Sequence, residues 1–486
     1  MCSSARFMEF VKKYHFEQVF GFLLGLGIVV GMACSEPQFG MPVAAWRCLG
    51  LVLLMAIWWA TEAVPLAATA LLPIIAIPIL GVGTIKTATA PYSHPTIYLF
   101  LGGFLLGLAM EKCNLPRRIA LAVLGKVGSC PKRQIGGFML ATGFISMWVS
   151  NTATVIMMLP IAASICAVIA NNNKNSEIHN FSVALMLAIA YAASIGGMAT
   201  LIGTPPNALL RAFLADNYNF NIGFGQWMLL GVPMCLLLGV FIWWWLTRKQ
   251  FAIENNNINE IIQHELSSLG SITRAEVMVS IVFCSAALAW IFQPLICSYL
   301  PFVDDTFIAM FFGLLLFVLP EDLQLRRFLL SWEDARDLPW GVLLLFGGGL
   351  SVAGAINNTG LAGWMADLLG FYSGIPLFMM IFILVAIVQI MTEFTSNTAT
   401  TATFLPLVGI MALAQGLAPA IYAIPATLAA SCAFMFPVST PPNAIVFQSG
   451  ALAVSDMIKA GFVLSLFSSL LISVLVYFLV PLIFGI

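Results

Sequence analysis

Ser150-Asn151-Thr152-Ala153-Thr154 stands in the middle of one apolar stretch, 134–170, and returns as Ser396-Asn397-Thr398-Ala399-Thr400 in the middle of another, 376–414. A polar tripeptide facing lipid would leave hydroxyl, amide and backbone groups without partners, so each must be buried in protein or line a cavity. The simplest shape that allows this is a hairpin that enters the membrane, turns at Ser-Asn-Thr and returns to the same side. Two more motifs recur in the same order and at nearly the same separation. Leu101-Gly102-Gly103-Phe104 is matched by Phe346-Gly347-Gly348-Gly349, and Gly203-Thr204-Pro205-Pro206-Asn207 by Ser439-Thr440-Pro441-Pro442-Asn443. Three ordered matches describe a chain made of two copies of one repeat.

Composition agrees with a membrane setting. Of 486 residues, 61% are hydrophobic and 8% charged, against roughly 25% charged in a soluble domain. A soluble enzyme is excluded. A nucleic-acid binder is excluded as well, because the net charge is −1 and no basic tract is present. At roughly 20 residues per span, the apolar runs fit an all-α polytopic membrane protein of about eleven transmembrane helices plus two re-entrant hairpins. Lys12 and Lys13 precede the apolar run Val19–Ala33, which reads as a first membrane helix rather than a secretory signal. With the N-terminus cytoplasmic and the C-terminus outside, every basic residue except Arg47, Lys86 and Arg211 falls on the cytoplasmic side. That set includes Arg6, Lys12, Lys13, Lys174, Lys249 and Arg326. The first hairpin then enters from the cytoplasm and the second from outside. Inverted repeats with interrupted helices at matching positions point to a secondary transporter.

The expected organisation follows. N-terminal scaffold helices occupy 1–95, and a first inverted repeat 96–247 holds hairpin 134–170 and a broken helix 181–215. A cytoplasmic linker spans 248–273, within the polar stretch Lys249–Ser271, and Asn171–Asn175 reads as a surface loop. Further scaffold helices span 274–337, and a second repeat 338–486 holds hairpin 376–414 and a broken helix 421–448. The cysteines form no CxxC pair; Cys166, Cys235, Cys284 and Cys432 read as small core residues. Trp58, Trp59 and Trp243 to Trp245 read as interfacial anchors.

The repeated motifs carry recognisable chemistry. Ser, Asn and Thr cap helix N-termini, so each tripeptide can end one hairpin arm and point the positive end of the next helix at its tip, where an anion is favoured. The paired prolines remove backbone donors and push the residue before them out of helical geometry. The helix breaks near Thr204 and Thr440, the carbonyls of Gly203 and Ser439 become available as oxygen ligands, and Asn207 and Asn443 read as caps of the resumed helices. Ser146 lies four residues before Ser150, and Thr392 four before Ser396. Each half therefore offers a hydroxyl, an Asn oxygen and a break carbonyl, the oxygen set a monovalent cation such as sodium needs. Two quasi-equivalent cation sites flanking one anion site is the economical reading. Glu62 and Glu393 are the acids that could serve proton coupling. Glu393 has Met147 as its repeat counterpart and reads rather as a fixed internal hydrogen-bonding group.

Taken together, the paired Ser-Asn-Thr motifs, SIGGMATLIGTPPN (194–207), ASCAFMFPVSTPPNAIVF (430–447), WWATEAVP (58–65), LGGFLLGLAMEKCNLPRRIAL (101–121) and MTEFTSNTAT (391–400) resemble the divalent anion–sodium symporter family. Within it, the likeness is to bacterial INDY-type sodium-dependent dicarboxylate symporters. The resemblance implies a homodimer in the bacterial plasma membrane, each protomer having a scaffold domain and an elevator-type transport domain. It implies one sodium site from Ser146, Ser150, Asn151 and the Gly203 carbonyl. A second would use Thr392, Asn397 and the carbonyls of Thr395 and Ser439. Substrate carboxylates would meet Asn151, Thr152, Thr204, Ser396, Asn397, Thr398, Thr440 and Pro441. The expected function is sodium-driven import of a C4-dicarboxylate such as succinate, malate or fumarate, without enzymatic chemistry. Sodium-independent exchange of di- or tricarboxylates such as citrate, and sulfate symport, are the alternatives within the family. From another class, a membrane sensor or channel on a transporter scaffold is the runner-up.

Overall fold

A computed structural model describes residues 16–128, 130–172, 176–248, 251, 258–322, 327–369 and 375–486. The readings placed on Arg6, Lys12, Lys13, Lys174, Lys249 and Arg326, and most of the Asn171–Asn175 loop, lie outside the described residues. The described chain is helical except for a short antiparallel pair, Pro320–Asp322 with Arg327–Phe328. Among the described residues eight helices are each long and apolar enough to cross a membrane. The chain is an all-α, multi-pass membrane protein. It divides into two compact units, each assembled from separated parts of the sequence.

The first unit runs to Ile97 and adds Leu209–Asn221 and Pro339–Ala430. Helices Phe16–Cys34 and Val43–Thr61 pack side by side. Trp58 stacks on Phe22 at 5.0 Å between centroids and donates its indole N–H to the Phe22 carbonyl. Trp59 donates to the Leu66 carbonyl. Both rings are buried, so they are packing residues rather than the interfacial anchors expected. Glu62 ends the second helix in left-handed geometry, φ 47°, ψ 33°. The apolar stretch 63–82 is not one helix. Pro65 stands just before Leu66–Thr69 and Pro73 in the first turn of Leu72–Ile79, which itself contains Pro78; proline suits a helix start because its missing N–H is unpaired there anyway. Helix Trp340–Asn358 crosses this region closely. A Cβ on Gly348 would sit 2.3 Å from the Ala70 carbonyl oxygen, and one on Gly347 would sit 2.2 Å from the Tyr92 ring. Only glycines permit that crossing, and Tyr92 closes it by donating to the Ala70 carbonyl at 2.5 Å.

The second unit comprises Tyr98–Ala208, Ile222–Leu338 and Ser431–Ile486. Its innermost element is Ser176–Met198, whose apolar window His179–Met198 is 89% buried. Pro131–Ser146, Asn151–Asn172 and Phe224–Leu246 all pack on it. Trp227 donates to the Met198 carbonyl at 2.9 Å. Gly102 permits a backbone crossing at Ala309, a Cβ there being 2.4 Å from main-chain atoms. The repeated glycine motifs are thus helix-crossing points in both halves. Trp243 donates to the Lys132 carbonyl and Arg248 lies 3.5 Å above the Trp245 ring. Cys432 is buried, but Cys284 is exposed on Arg274–Ile291; its thiol faces outward, so the core reading fails there. At the polar ends, Arg118 pairs with Glu276 at 2.7 Å and holds the carbonyls of Leu269, Gly270 and Ser271. Lys112 pairs with Asp334 at 2.7 Å.

Candidate functional site

Both Ser-Asn-Thr motifs fall at helix–turn–helix tips. In the second unit, Pro131–Ser146 stops and Asn151–Asn172 begins. Ser150 Oγ accepts from the Ala153 N–H at 3.2 Å and so caps the second arm. The buried Ser146 hydroxyl lies 2.5 Å from Asn151 Oδ1 and 2.8 Å from the Ala193 carbonyl oxygen. In the first unit, Leu377–Thr392 stops and Asn397–Ala414 begins. The buried Thr392 hydroxyl lies 2.9 Å from Asn397 Oδ1 and 2.7 Å from the Ala430 carbonyl oxygen. The two halves reproduce one arrangement: a hydroxyl, the Asn amide oxygen five residues on, and a main-chain carbonyl from the neighbouring helix.

A hydroxyl has one proton, so it can satisfy only one of those two acceptors at a time. With the amide oxygen facing the hydroxyl the remaining close oxygen pair is repulsive, and it is relieved either by a positive charge sharing the cluster or by turning the amide so that its NH2 donates to the hydroxyl. Oxygen-only ligation is what hard cations require. These triangles contain no carboxylate among the atoms named, which suits a single positive charge. The carbonyls of Ala193 and Ala430 were not legible in sequence, since a main-chain oxygen has no side-chain signature.

The first proline break closes against the first tip. Thr200 donates to the Met147 carbonyl at 2.5 Å, and the Gly203 N–H donates to Thr200 Oγ1 at 3.1 Å. A Cβ on Gly203 would lie 2.6 Å from the Gly197 carbonyl oxygen and 2.9 Å from that of Met147. Gly203, Ser146, Ser150 and Asn151 are therefore gathered in one neighbourhood. Thr200 belongs with them and was missed; as a buried threonine inside an apolar run it was the available signal. Asn207 does not cap the resumed helix Pro205–Tyr218. Its Nδ2 donates back to the carbonyls of Thr200, Met198 and Gly197 at 2.7, 3.3 and 3.4 Å. Asn443 likewise donates to Ala433 and Phe436 carbonyls. The actual cap of Pro441–Gln448 is Thr440, whose hydroxyl accepts from the Asn443 N–H. The asparagines pin the freed carbonyls of the broken helix, a buried need that local capping preferences do not anticipate.

Thr204, Ser439 and Thr440 are buried in the second unit, where Asn151–Asn172 packs against Pro441–Gln448. At the second tip, Thr395 meets the Thr400 hydroxyl at 2.5 Å and donates to the Met391 carbonyl. Ser396 is the helix N-cap by position, φ −61°, ψ 135°, but makes no capping hydrogen bond. Ser396 and Thr398 instead line a cavity of about 790 Å³ within the first unit. Glu393 is wholly buried beside Thr392.

Residues 18–484 match the model of a family described as the sodium:sulfate symporter transmembrane region. A sodium-dependent dicarboxylate transporter of Staphylococcus saprophyticus is 39% identical over 488 residues, covering 98% of this chain and 94% of that protein. Its Staphylococcus aureus counterpart is 37% identical over 502 residues, covering 99% and 96%. Among solved structures, the YdaH transporter of Alcanivorax borkumensis superposes with a TM-score of 0.59 at 14% identity, covering 90% of this chain and 98% of that one. Neisseria gonorrhoeae MtrF gives 0.55 at 13% identity, covering 92% and 96%. Those two likenesses concern the fold.

Proposed function

The chain belongs to the sodium:sulfate symporter family, and on that premise we propose that it is a secondary active transporter importing C4-dicarboxylates together with sodium. The observation that carries this reading is the doubled oxygen triangle, Ser146–Asn151–Ala193 and Thr392–Asn397–Ala430. One sodium is assigned to Ser146, Ser150, Asn151 and the carbonyls of Gly203 and Ala193. The other is assigned to Thr392, Asn397 and the carbonyls of Thr395 and Ala430. In the second unit a carboxylate is taken by Asn151, Thr152, Thr204, Thr440 and Pro441, at helix N-termini whose partial positive charge suits it. In the first unit the matching donors are Ser396, Asn397 and Thr398. None of these residues is cationic, so a dianion is neutralised by helix ends and by the co-bound sodium, and affinity for it rises with sodium. Coupling follows from that dependence.

The protein sits in a bacterial plasma membrane with its N-terminus cytoplasmic and its C-terminus outside, a topology supported by the distribution of Lys and Arg. It works as a homodimer whose scaffold helices stay fixed while the hairpins and broken helices move. No bond is made or broken; its chemistry is binding and translocation. Uptake of labelled succinate into proteoliposomes under an imposed sodium gradient tests the reading. Sodium should drive accumulation that potassium does not. Equal uptake in both cations, or accumulation of labelled sulfate and not succinate, would overturn it.

A further inference from the structure

From Ser431 to Thr440 the chain follows neither helix nor strand, yet Ser431 to Phe434, Ser439 and Thr440 are buried. Main-chain carbonyls freed in such a stretch must find donors. Asn443 supplies them for Ala433 and Phe436, its Nδ2 lying 3.3 and 3.1 Å from the two oxygens. The N–H of the same residue donates to the Thr440 hydroxyl at 3.3 Å. Ala433 to Asn443 therefore closes on itself as one unit, and that unit carries Thr440 and Pro441. The Phe434 carbonyl, between the two that Asn443 holds, accepts instead from the phenol of Tyr191 at 2.8 Å, 243 residues away in the chain. Both residues are fully buried, and their rings meet edge to face with centroids 5.2 Å apart. Helix Val454–Phe484 also lies against this point, since a Cβ on Gly461 would collide with the Phe434 carbonyl. Tyr191 stands on Ser176–Met198 two residues before Ala193, whose carbonyl meets the Ser146 hydroxyl. One helix thus fixes both the first oxygen triangle and the unit that carries Thr440. The repeat itself does not call for the phenol. Counted from the paired break motifs, position 191 corresponds to Thr427, whose hydroxyl donates to the Ala423 carbonyl on its own helix.

We propose that Tyr191 is a positioning residue for the transported carboxylate: by holding the Phe434 carbonyl it sets where Thr440 and the start of Pro441–Gln448 stand relative to the first sodium triangle. Tyr191 acts through the backbone and touches no substrate. The proposal rests on the assignment of Thr440 and Pro441 to a carboxylate in the reading above. Without the phenol, the unit keeps its internal bonds to Asn443 but loses this tie to Ser176–Met198. Thr440 then samples positions that fit a carboxylate less well. The attraction between a bound sodium and the carboxylate also falls as their separation grows, so the loss is felt in substrate affinity.

Uptake of labelled succinate into proteoliposomes at saturating sodium, over a range of succinate concentrations, tests this with Tyr191→Phe, which keeps the ring and removes the hydroxyl. Loss of one buried hydrogen bond should raise half-saturating succinate by about 3- to 10-fold, with maximal uptake per folded protein retained. Tyr422→Phe is the control. It removes a phenol hydrogen bond of 2.6 Å to Gln415, so it should lower the unfolding temperature by a similar amount and leave half-saturating succinate as it is. Gly461→Ala presses on the Phe434 carbonyl from its own helix and should also raise half-saturating succinate, which keeps the test decisive if Tyr191→Phe does not assemble. Wild-type half-saturation in Tyr191→Phe and Gly461→Ala, whatever their stability, would overturn the proposal and leave the phenol a structural tie. An equal rise in Tyr422→Phe would overturn it as well. The symport reading is judged on the wild type alone: equal succinate uptake in potassium and sodium would remove the coupling, and no succinate uptake at all would remove the carboxylate assignment, each distinct from any difference between the variants.

Discussion

Replacing Gly197 by alanine separates helix stability from ion binding. Gly197 lies in the last turn of Ser176–Met198, where alanine is favoured over glycine by about 1 kcal/mol. By propensity alone, Gly197→Ala stabilises the protein. A Cβ at that position would lie 2.6 Å from Asn151 Oδ1, 3.0 Å from Asn151 Nδ2 and 3.0 Å from the Gly203 carbonyl oxygen. To restore ordinary contact, the amide oxygen must retreat by about 0.8 Å. Asn151 is a short side chain with its oxygen 2.5 Å from Ser146, and such a retreat takes it out of the triangle. A charge-assisted contact of this kind is worth about 1.5–3 kcal/mol, which corresponds to roughly 10- to 150-fold in sodium affinity. The assay is a sodium titration of succinate uptake alongside thermal unfolding of the same protein. The half-saturating sodium should rise by an order of magnitude or more while the unfolding temperature holds or increases. Gly354, a helical glycine with no atom within 4 Å of its would-be Cβ, is the control: Gly354→Ala should leave sodium dependence as it is. Wild-type sodium dependence in Gly197→Ala would refute the assignment of Asn151 Oδ1 as a ligand.

Three more outcomes follow from the same geometry. Thr392→Val keeps the shape and removes the hydroxyl, so its sodium requirement should rise about 10-fold, read by sodium titration of uptake, while the Ala430 carbonyl left unpaired should cost about 1–3 kcal/mol of stability. Asn207→Ala frees three buried carbonyls that its Nδ2 now holds and should cost about 1–3 kcal/mol, visible as a lower unfolding temperature. For Asp334, burial pushes the carboxyl up, but the Lys112 ammonium and the Ser331 N–H and hydroxyl outweigh it and hold it below the ordinary aspartate value. A carboxylate lowered on folding stabilises the protein above its unfolded pKa, and that contribution is lost as pH falls through the folded value. The unfolding temperature of the wild type should therefore drop more steeply than that of Asp334→Asn on acidification through and below the ordinary aspartate range.

The tips were legible because polar residues inside an apolar run carry information that polar residues on a soluble surface do not. Ser146 and Asn151, and Thr392 and Asn397, could be paired from spacing alone. Ala193 and Ala430 could not, since what they supply is a backbone oxygen, and any residue type would supply one. Capping preference makes Asn207 and Asn443 look like caps because it describes only local partners. In the structure each reaches back seven to ten residues to close the break, a demand created by burial of the freed carbonyls. The glycine runs marked the repeat correctly, but their reason, the approach to Ala70, Tyr92 and Ala309, depends on elements distant in sequence. The start of Leu66–Thr69 and that of Leu72–Ile79 are each marked in the sequence by a proline, Pro65 and Pro73.

The two halves repeat a motif without repeating all its duties. Ser150 caps its helix, whereas Ser396 makes no capping bond and lines a cavity containing the Glu62 carboxylate. An uncapped N-cap hydroxyl leaves the second tip with one fewer restraint, a loss of about 1 kcal/mol relative to a capped end. The first tip is also tied by Thr200 to Met147 and by Gly203 to Thr200. The second tip is held instead by Thr392 to the Ala430 carbonyl, Thr395 to the Met391 carbonyl and to Thr400, and Thr401 to the Asn397 carbonyl, so the two proposed sodium sites rest on different restraints and need not have equal affinity.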